Sequence, residues 1–203
     1  IYMGPVMRPY SQELDEIAVF MEEHKTELMV DVPDEWEDRI AYEEYLGEVK
    51  TALVLKGWIE EMTEDVIIER FRVQPGDLYR TIENGKWLLH ATHELATLFG
   101  NKHVLPLTNE VRERIEKGVK KELLPIVKLE GVGRVRGRII YNAGYKTIED
   151  VKAAKLEDLM NLPLIGPKLA KKIKEQLGGF VTKETWEKLE REEAWKQKAL
   201  TEY

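Results

Sequence analysis

Six basic side chains surround two copies of a short pattern. The first copy runs from Leu129 to Ile140 and the second from Leu162 to Ile173. Each copy has a leading Leu, an apolar residue three positions on followed by Gly, then a small residue and a closing Ile. The basic residues around the two turns are Arg134, Arg136, Arg138, Lys168, Lys171 and Lys172. Cations at such turns are suited to holding an anion.

Each copy predicts a helix-hairpin-helix with a tight, glycine-containing turn. Gly131, Gly133 and Gly166 supply backbone that a ligand can approach closely. The first amides of the helix that follows lack intrahelical partners, and the helix dipole favours negative charge there. We therefore predict that each turn binds a phosphate group. No residue suited to reading a base edge stands out, so we expect recognition of shape and phosphate rather than sequence. The alternative is that both turns serve packing alone.

A second pair of side chains could bind a nucleic-acid strand. Arg80 and Trp87 are seven residues apart in a predicted helix, which places them on one face, two turns from each other. An Arg can hold a phosphate and a Trp can stack on a base, as a single strand would require. The alternative is that Trp87 is a core residue and Arg80 a solvated charge.

Other chemistry is poorly supported by the residues. His90, His93 and Glu94 do not have the order of a zinc-protease helix, and no third metal ligand is evident. Asp150 lies where a helix-hairpin-helix DNA glycosylase would have a catalytic Asp, but its spacing from Thr147 favours a capping box. The sequence contains no phosphate-binding Gly-Lys-Ser/Thr loop, no Ser-His-Asp order and no Gly-x-Ser-x-Gly motif. We therefore expect no catalytic residue, metal or cofactor in these residues.

The amino-acid composition limits the cellular compartment in which the protein is expected. The 203 residues contain no Cys, which excludes disulfides and thiolate metal sites and favours a reducing compartment, so we expect a cytoplasmic, nucleoid-associated protein. No apolar run approaches the ~20 residues of a membrane span. Charged residues make up 34% of the chain, as in proteins from thermophiles. The sequence starts at Ile1 without an initiator Met, which favours a piece of a longer protein.

The net charge of -7 is unevenly distributed. The stretch from Lys128 to Gly178 carries 11 basic and 6 acidic residues, a balance of +5. The preceding residues, 1–127, carry 15 basic and 26 acidic residues, a balance of -11. The pattern indicates an acidic body with a basic module that suits a nucleic-acid backbone.

The elements that position these residues are predicted to be all-α. We expect a helical bundle over residues 1–121 with an irregular lead-in over 1–10, a tandem helix-hairpin-helix domain over 122–179, and a charged tail over 180–203. Apolar spacing predicts five helices in the bundle. They run from Ser11 to about Leu28, from after Asp34 through Trp36 to near Gly57, in a short stretch after Thr63, from Leu78 to about Phe99, and from Thr108 onward. Asp77 and Thr108 are the expected N-caps of the last two, and Phe99 is expected in the buried stripe.

The tail ends in a short pattern of its own. Gln197, Leu200 and Tyr203 resemble the peptide with which replication and repair proteins bind the sliding clamp (PCNA). A terminal segment could leave the body and become ordered on binding. The alternative is an ordinary terminal helix.

Two stretches together carry a family resemblance. These are Pro75 to Ala91, reading Pro-Gly-Asp-Leu-Tyr-Arg and then Lys-Trp-Leu-Leu-His-Ala, and the repeat from Leu123 to Gly178. Over about residues 30–178 the chain resembles the C-terminal part of an archaeal Hjm/HelQ-type Ski2-like DNA helicase, namely its ratchet helical domain and terminal helix-hairpin-helix domain. In that family a ratchet-helix Arg and Trp contact the translocating strand, and the resemblance assigns these roles to Arg80 and Trp87. The terminal domain's basic residues, thought to grip the emerging strand, would be Arg134, Arg136 and Arg138.

The resemblance implies a function. The chain would be the single-stranded DNA guiding and brake portion of an ATP-dependent 3′ to 5′ DNA repair helicase acting on replication forks. The family's motor, which uses ATP and Mg²⁺, is absent from these residues, so the fragment alone should be inactive. A rival hypothesis is a stand-alone adaptor that docks on branched DNA and recruits the sliding clamp. A protein-binding helical module and a glycosylase-like enzyme are further alternatives.

Overall fold

Every regular element that the computed structural model describes is helical, which confirms the all-α prediction. The structure describes residues 7–28, 30–179 and 191. The helices are α1 (Leu14–Glu23), α2 (Arg39–Ile59), α3 (Glu64–Phe71), α4 (Pro75–Leu98), α5 (Leu105–Lys117), α6 (Leu124–Val127), α7 (Arg134–Asn142), α8 (Ile148–Ala153), α9 (Leu156–Met160) and α10 (Pro167–Gln176). Short 3-10 turns lie at Ser11–Glu13, Lys102–Val104 and Lys121–Leu123. The chain forms two compact units, residues 1–120 and 121–203.

The first unit is built around α2. Its residues Leu53 and Val54 lie in a core that receives Ile17 from α1, Ile67 from α3 and Ile82 from α4. Helices α4 and α5 pack along each other beside this core. Burial of these apolar side chains is the main force that assembles the bundle.

A buried ion pair fixes the lead-in to α2. The side chain of Lys50 is almost fully buried, and its ammonium lies 2.9 Å from the Glu13 carboxylate and 3.3 Å from the Arg8 carbonyl. The same ammonium lies 4.8 Å from the centre of the Tyr10 ring. Because a buried charge needs such partners, residues 8–13 are held against the bundle.

The second helix begins later than the sequence predicted. Trp36 lies in a turn, where the Asp34 carboxylate accepts hydrogen bonds from the amides of Trp36 and Glu37. The Asp38 side chain accepts from the Ala41 amide and is the N-cap of α2. Hydrogen bonds from the Asp34 side chain therefore stabilise a turn where apolar spacing had predicted helix. Trp36, which was predicted to lie in that helix, is 93% exposed.

Two predicted N-caps are also wrong. Helix α4 starts at Pro75, with Gln74 as its N-cap, because proline suits the first turn and Asp77 then falls inside that turn. Thr108 lies within α5, and its hydroxyl donates to the Leu105 carbonyl. Phe99, expected in the buried stripe of α4, is 73% exposed.

The second unit contains both hairpins, and its core follows the repeat. Helices α6 and α7 flank the first hairpin, and α9 and α10 flank the second. Ile140 and Ile173, the closing residues of the two copies, are fully buried. At the small position, a Cβ on Gly137 would lie 2.8 Å from Val127, so only glycine permits the close contact of α6 with α7. Among the described residues of this unit, the fully buried apolar side chains are Leu123, Ile126, Ile140, Val151, Leu159, Ile165, Ala170 and Ile173.

Gly118→Ala should destabilise the first unit by about 2–4 kcal/mol. Gly118 has φ of 62°, and an added Cβ would lie 2.5 Å from the Trp58 ring. That ring cannot move freely because its Nε1 donates to the Ile115 carbonyl at 2.7 Å. Urea unfolding measures the change.

The matched control is Gly76→Ala in α4, where an added Cβ meets nothing within 4 Å. It should be neutral or stabilise by up to about 1 kcal/mol, because alanine is the better helix former. Equal effects from the two substitutions would contradict the steric argument.

Candidate nucleic-acid interface

The N-termini of α7 and α10 are alike in their geometry. Gly133 and Gly166 are the N-caps, with φ of -89° and -78° and extended ψ. Among the described residues, no side chain caps either helix and no atom lies within 4 Å of a Cβ added to either glycine. The described part of the chain therefore leaves the space over both N-caps open, as an approaching oxygen anion requires.

The first intrahelical hydrogen bonds begin one turn later. The Gly137 amide donates to the Gly133 carbonyl at 2.8 Å, and the Ala170 amide donates to the Gly166 carbonyl at 3.0 Å. The amides before Gly137 and Ala170 point out of the helix ends, apart from Pro167, which has none. Each hairpin thus offers backbone donors and the positive end of a helix dipole.

The hairpin tips have the same backbone conformation in both copies. Gly131 has φ of 84°, and Leu164, the equivalent residue of the second copy, has φ of 61°. A Cβ on Gly131 would lie 2.7 Å from Leu169. The first tip therefore needs glycine, whereas the second adopts the left-handed conformation with a side chain present.

Arg136 joins the two tips. Its Nε donates to the Leu164 carbonyl at 2.9 Å, and its Nη1 donates to the Gly131 carbonyl at 3.0 Å. The tips of the two hairpins therefore lie next to each other, linked by one guanidinium. From the sequence the hairpins were predicted only as two separate copies. In this structure the Arg136 guanidinium holds the backbone of both tips, and its predicted contact with DNA stays a prediction.

Helix α10 holds the first hairpin in return. The Glu130 amide donates to the Gln176 side-chain oxygen at 2.7 Å, and the Gln176 side-chain nitrogen donates to the Glu130 carbonyl at 3.2 Å. Lys172 forms an ion pair with the Glu130 carboxylate at 2.5 Å. The two hairpins are thus cross-linked in both directions.

The remaining predicted cations differ in their availability. Arg138 pairs with Glu122 at 2.9 Å, and Lys171 lies 4.0 Å from Glu175. Arg134, the first residue of α7, is partly buried and has a partner. Lys168 lies exposed in the first turn of α10, with no ion pair to any residue within 7–28 or 30–179. Lys168 can therefore bind a phosphate without breaking an ion pair with any of these residues.

Asp150 caps α8. Its carboxylate accepts hydrogen bonds from the amides of Thr147 and Lys146, while the Thr147 hydroxyl accepts from the Asp150 amide at 3.0 Å. The hydrogen bond from the Thr147 backbone is the main cause that holds the pKa of Asp150 below its usual value. The prediction of a capping box is confirmed.

At the other end of α8, Lys174 donates to the carbonyls of Val151, Lys152 and Ala154. Burial lowers the pKa of this ammonium. Lys174 thus binds the C-terminus of a helix and belongs to the architecture of the unit.

In the first unit, Arg80 and Trp87 lie on the outer face of α4. Trp87 is 53% exposed and is not part of the unit's core. The Arg80 guanidinium lies 3.9 Å from the Asp77 carboxylate, a weak surface pair. Asn84, exposed and one turn from each, lies between them. The face therefore offers a cation, an amide and an indole in a row.

The histidines of α4 contact α5. The Nδ1 of His93 lies 3.0 Å from the Thr108 hydroxyl, and that of His90 lies 3.4 Å from Arg112. Over the described part of the chain, no group of three or more acidic or histidine side chains could hold a metal ion. None of the helices described is both long and apolar enough to span a membrane. The tail residues Gln197, Leu200 and Tyr203 lie outside the described residues.

Comparison with known families matches both parts of the chain. The family described as archaeal helicase, domain 4 matches residues 3–118, and the SAM-like helix-hairpin-helix tandem matches residues 122–178. The chain belongs to the archaeal helicase domain 4 family. With its tandem it corresponds to the C-terminal region of a Hel308-type archaeal DNA helicase, and the resemblance drawn from the sequence is confirmed.

Several similar proteins carry the name ATP-dependent DNA helicase Hel308. The one from Methanocella arvoryzae is 41% identical over 165 residues, covering 80% of this chain and 22% of the relative. That from Aeropyrum pernix is 46% identical over 136 residues, 66% of this chain and 18% of the relative. That from Pyrococcus abyssi is 36% identical over 186 residues, 88% of this chain and 25% of the relative. The chain thus spans a quarter or less of these relatives' length.

The structure of this domain 4 and tandem adds residues that the motifs did not indicate. Leu164 lies at a hairpin tip. The sequence could have indicated this residue, because it occupies the position that Gly131 has in the first copy. Asn84 lies between Arg80 and Trp87, and helical spacing alone could have placed it there.

Asp150→Ala should lower the melting temperature of the Hel308-type tandem at neutral pH. Because the folded-state pKa of Asp150 is depressed, its stabilisation is present above the unfolded pKa of about 3.9 and is lost as pH falls through the folded value. The gap between the native chain and the variant should therefore narrow below about pH 4, as thermal unfolding across a pH series would show.

Glu149→Ala is the control, since it removes the same charge from the same turn of α8 without removing a cap. A loss of stability equal to that of Asp150→Ala would mean that charge near the helix N-terminus, rather than capping, is responsible.

Proposed function

We propose that this chain is the single-strand guiding and brake portion of an ATP-dependent 3′ to 5′ DNA repair helicase that acts at replication forks. The relatives named as ATP-dependent DNA helicases support this proposal. The structural observation that carries it is the exposed indole of Trp87 on the same face of α4 as Arg80. An exposed indole beside a cation is what a sequence-independent grip on a single strand requires.

The face of α4 can engage one strand at two points. Arg80 and Trp87 are about 10 Å apart along the helix axis. In our proposal Arg80 holds a phosphate, Trp87 stacks on a base, and the Asn84 amide offers hydrogen bonds between them. The interaction of Arg80 with Asp77 is long at 3.9 Å, so a phosphate can displace it at little cost. Stacking on Trp87 tolerates any base, as movement along a strand demands.

The tandem supplies the second grip. Its two open helix N-termini each present backbone donors for a phosphate, and Gly133 and Gly166 leave room for close approach. Lys168 adds an available cation beside the second site. Because Arg136 fixes the tips to each other, we propose that the pair binds as one rigid clamp and restrains unwinding, which is the brake.

The motor functions lie elsewhere in this proposal. ATP and Mg²⁺ would bind in a motor outside these residues, and this portion alone would neither hydrolyse ATP nor unwind DNA. The tail through Gln197, Leu200 and Tyr203 is proposed to bind the sliding clamp (PCNA), on its sequence pattern alone.

Trp87→Ala should weaken binding of the chain to single-stranded DNA by about 5- to 150-fold, since base–aromatic stacking contributes about 1–3 kcal/mol. Fluorescence anisotropy with a labelled oligonucleotide measures the affinity. Trp36→Ala is a matched control, because Trp36 is 93% exposed in a loop that the proposal does not use. If both variants bind like the native chain, α4 is not a single-strand grip.

Gly133→Ala with Gly166→Ala should reduce DNA affinity about tenfold or more while leaving the fold intact, since losing a charge-assisted hydrogen bond costs about 1.5–3 kcal/mol. Both glycines have φ values open to alanine, and the added methyl groups enter empty space. That space is where a phosphate would lie. Titration with forked DNA measures the affinity of the native chain and of the double variant, and melting curves of both check that the fold is intact.

Gly76→Ala serves again as the control, because it adds a methyl group to open space on α4 away from the hairpins. Unchanged affinity in the Gly133→Ala/Gly166→Ala protein, with an unchanged melting temperature, would remove the hairpin amides from the proposed interface.

A further inference from the structure

Leu164 adopts a backbone conformation that its side chain disfavours. Its φ of 61° lies in the left-handed region, where a residue with a Cβ is strained. In the first copy of the repeat the equivalent residue is Gly131, which adopts φ of 84° without such strain. The fold of the second tip therefore does not explain why a leucine stands there.

Burial does not compensate for this strain. The side chain of Leu164 is 63% exposed, so it contributes little to the core. Val135, the second residue of α7, is 57% exposed. Among the described residues of the second unit, these two are the large apolar side chains that remain exposed. Both stand at hairpins, beside the helix N-termini.

The backbone of Leu164 is held firmly. Its carbonyl accepts the hydrogen bond from Arg136 Nε at 2.9 Å, and Arg136 also binds the Gly131 carbonyl. Leu164 comes two residues before the N-cap Gly166. An apolar side chain is therefore displayed at a fixed point, next to the amides that the proposed function gives to phosphate.

We propose that Leu164 is an apolar wedge that contacts the last base pair of a DNA duplex at its junction with a single strand. This inference rests on the proposed function, since the phosphate contacts would place the wedge. Apolar side chains next to backbone contacts enter base steps in DNA-bending proteins, at the cost of unstacking. The unstacking cost is lower at a junction, because the last base pair has no base pair stacked on its outer side. A leucine has no π-face, so it does not favour uniform single strands as Trp87 would.

Three substitutions separate apolar contact from strain and size. Leu164→Gly removes the strain and the side chain. Leu164→Asn keeps a similar size and tolerates the left-handed backbone, but is polar. Leu164→Met keeps an apolar side chain of similar size. The full 203-residue chain is tested on a forked oligonucleotide with 2-aminopurine in the last base pair, and on the single strand alone, with melting curves of every variant.

Leu164→Gly and Leu164→Asn should bind the fork about tenfold more weakly, the loss expected when a leucine contact is removed. Both should lose the rise in 2-aminopurine fluorescence that unstacking gives in the native protein. Their melting temperatures should equal or exceed the native value, and their affinity for single strands should stay unchanged. Leu164→Met should resemble the native chain in both DNA assays.

The outcomes distinguish this wedge from the proposed function. If the native chain and the Leu164→Gly variant bind the fork equally and give equal 2-aminopurine signals, the wedge is wrong while the phosphate grip stands. If the native chain binds neither DNA at low salt, the proposed function fails and the wedge fails with it. If Leu164→Gly instead dissociates a dimer in sedimentation, the leucine serves contact between copies of this chain, and the wedge is overturned.

Discussion

The guanidinium of Arg136 is the constraint on which the second unit depends. A planar group with donors in a fixed fork binds two carbonyls in one geometry, and here those carbonyls belong to the tips of two separate hairpins, at Gly131 and Leu164. Among the described residues, no other side-chain hydrogen bond joins the Gly131 and Leu164 carbonyls. The contacts of Glu130 with Gln176 and Lys172 strengthen the same union from the opposite side. If both hairpins bind phosphate as proposed, two sites fixed in this way would bind a DNA backbone without the entropy cost of ordering one site relative to the other.

This arrangement changes which groups can contact DNA. Arg136, Arg138 and Lys172 already have carbonyl or carboxylate partners within the unit, so a phosphate would have to replace those bonds. In the proposed function, the hairpin amides and Lys168, which has no ion pair with a described residue, would bind phosphate without such an exchange. The positive balance of the module would attract DNA from a distance. Attraction and grip would then come from different groups: side-chain charge would supply the first and the backbone most of the second.

The sequence predicted the two copies of the repeat. Their closing residues Ile140 and Ile173 are buried and Gly137 stands at a close contact, because the spacing of apolar and small residues is set by packing within a few turns. The buried stripe predicted for α4 was wrong at Phe99, which is exposed. The roles of Arg136 and Leu164 could not be predicted, since a carbonyl 28 residues away carries no side-chain signal. The predicted helix boundaries were wrong where local hydrogen bonds competed with apolar spacing, as at Trp36.

The orientation of Trp87 follows from packing on the opposite side of α4. Gly85 is buried, and a Cβ there would lie 3.4 Å from Leu55 and 3.5 Å from Ile115, so this side of α4 packs closely against α2 and α5. Trp87 is two residues further along, a rotation of about 200° around the helix, which directs it to solvent. Arg80 stands in the same relation to the buried Leu78. Close packing at the glycine thus fixes the orientation of the helix about its own axis. The residues two positions after the buried ones are a cation and an indole, and the proposed function assigns this exposed face to a single strand.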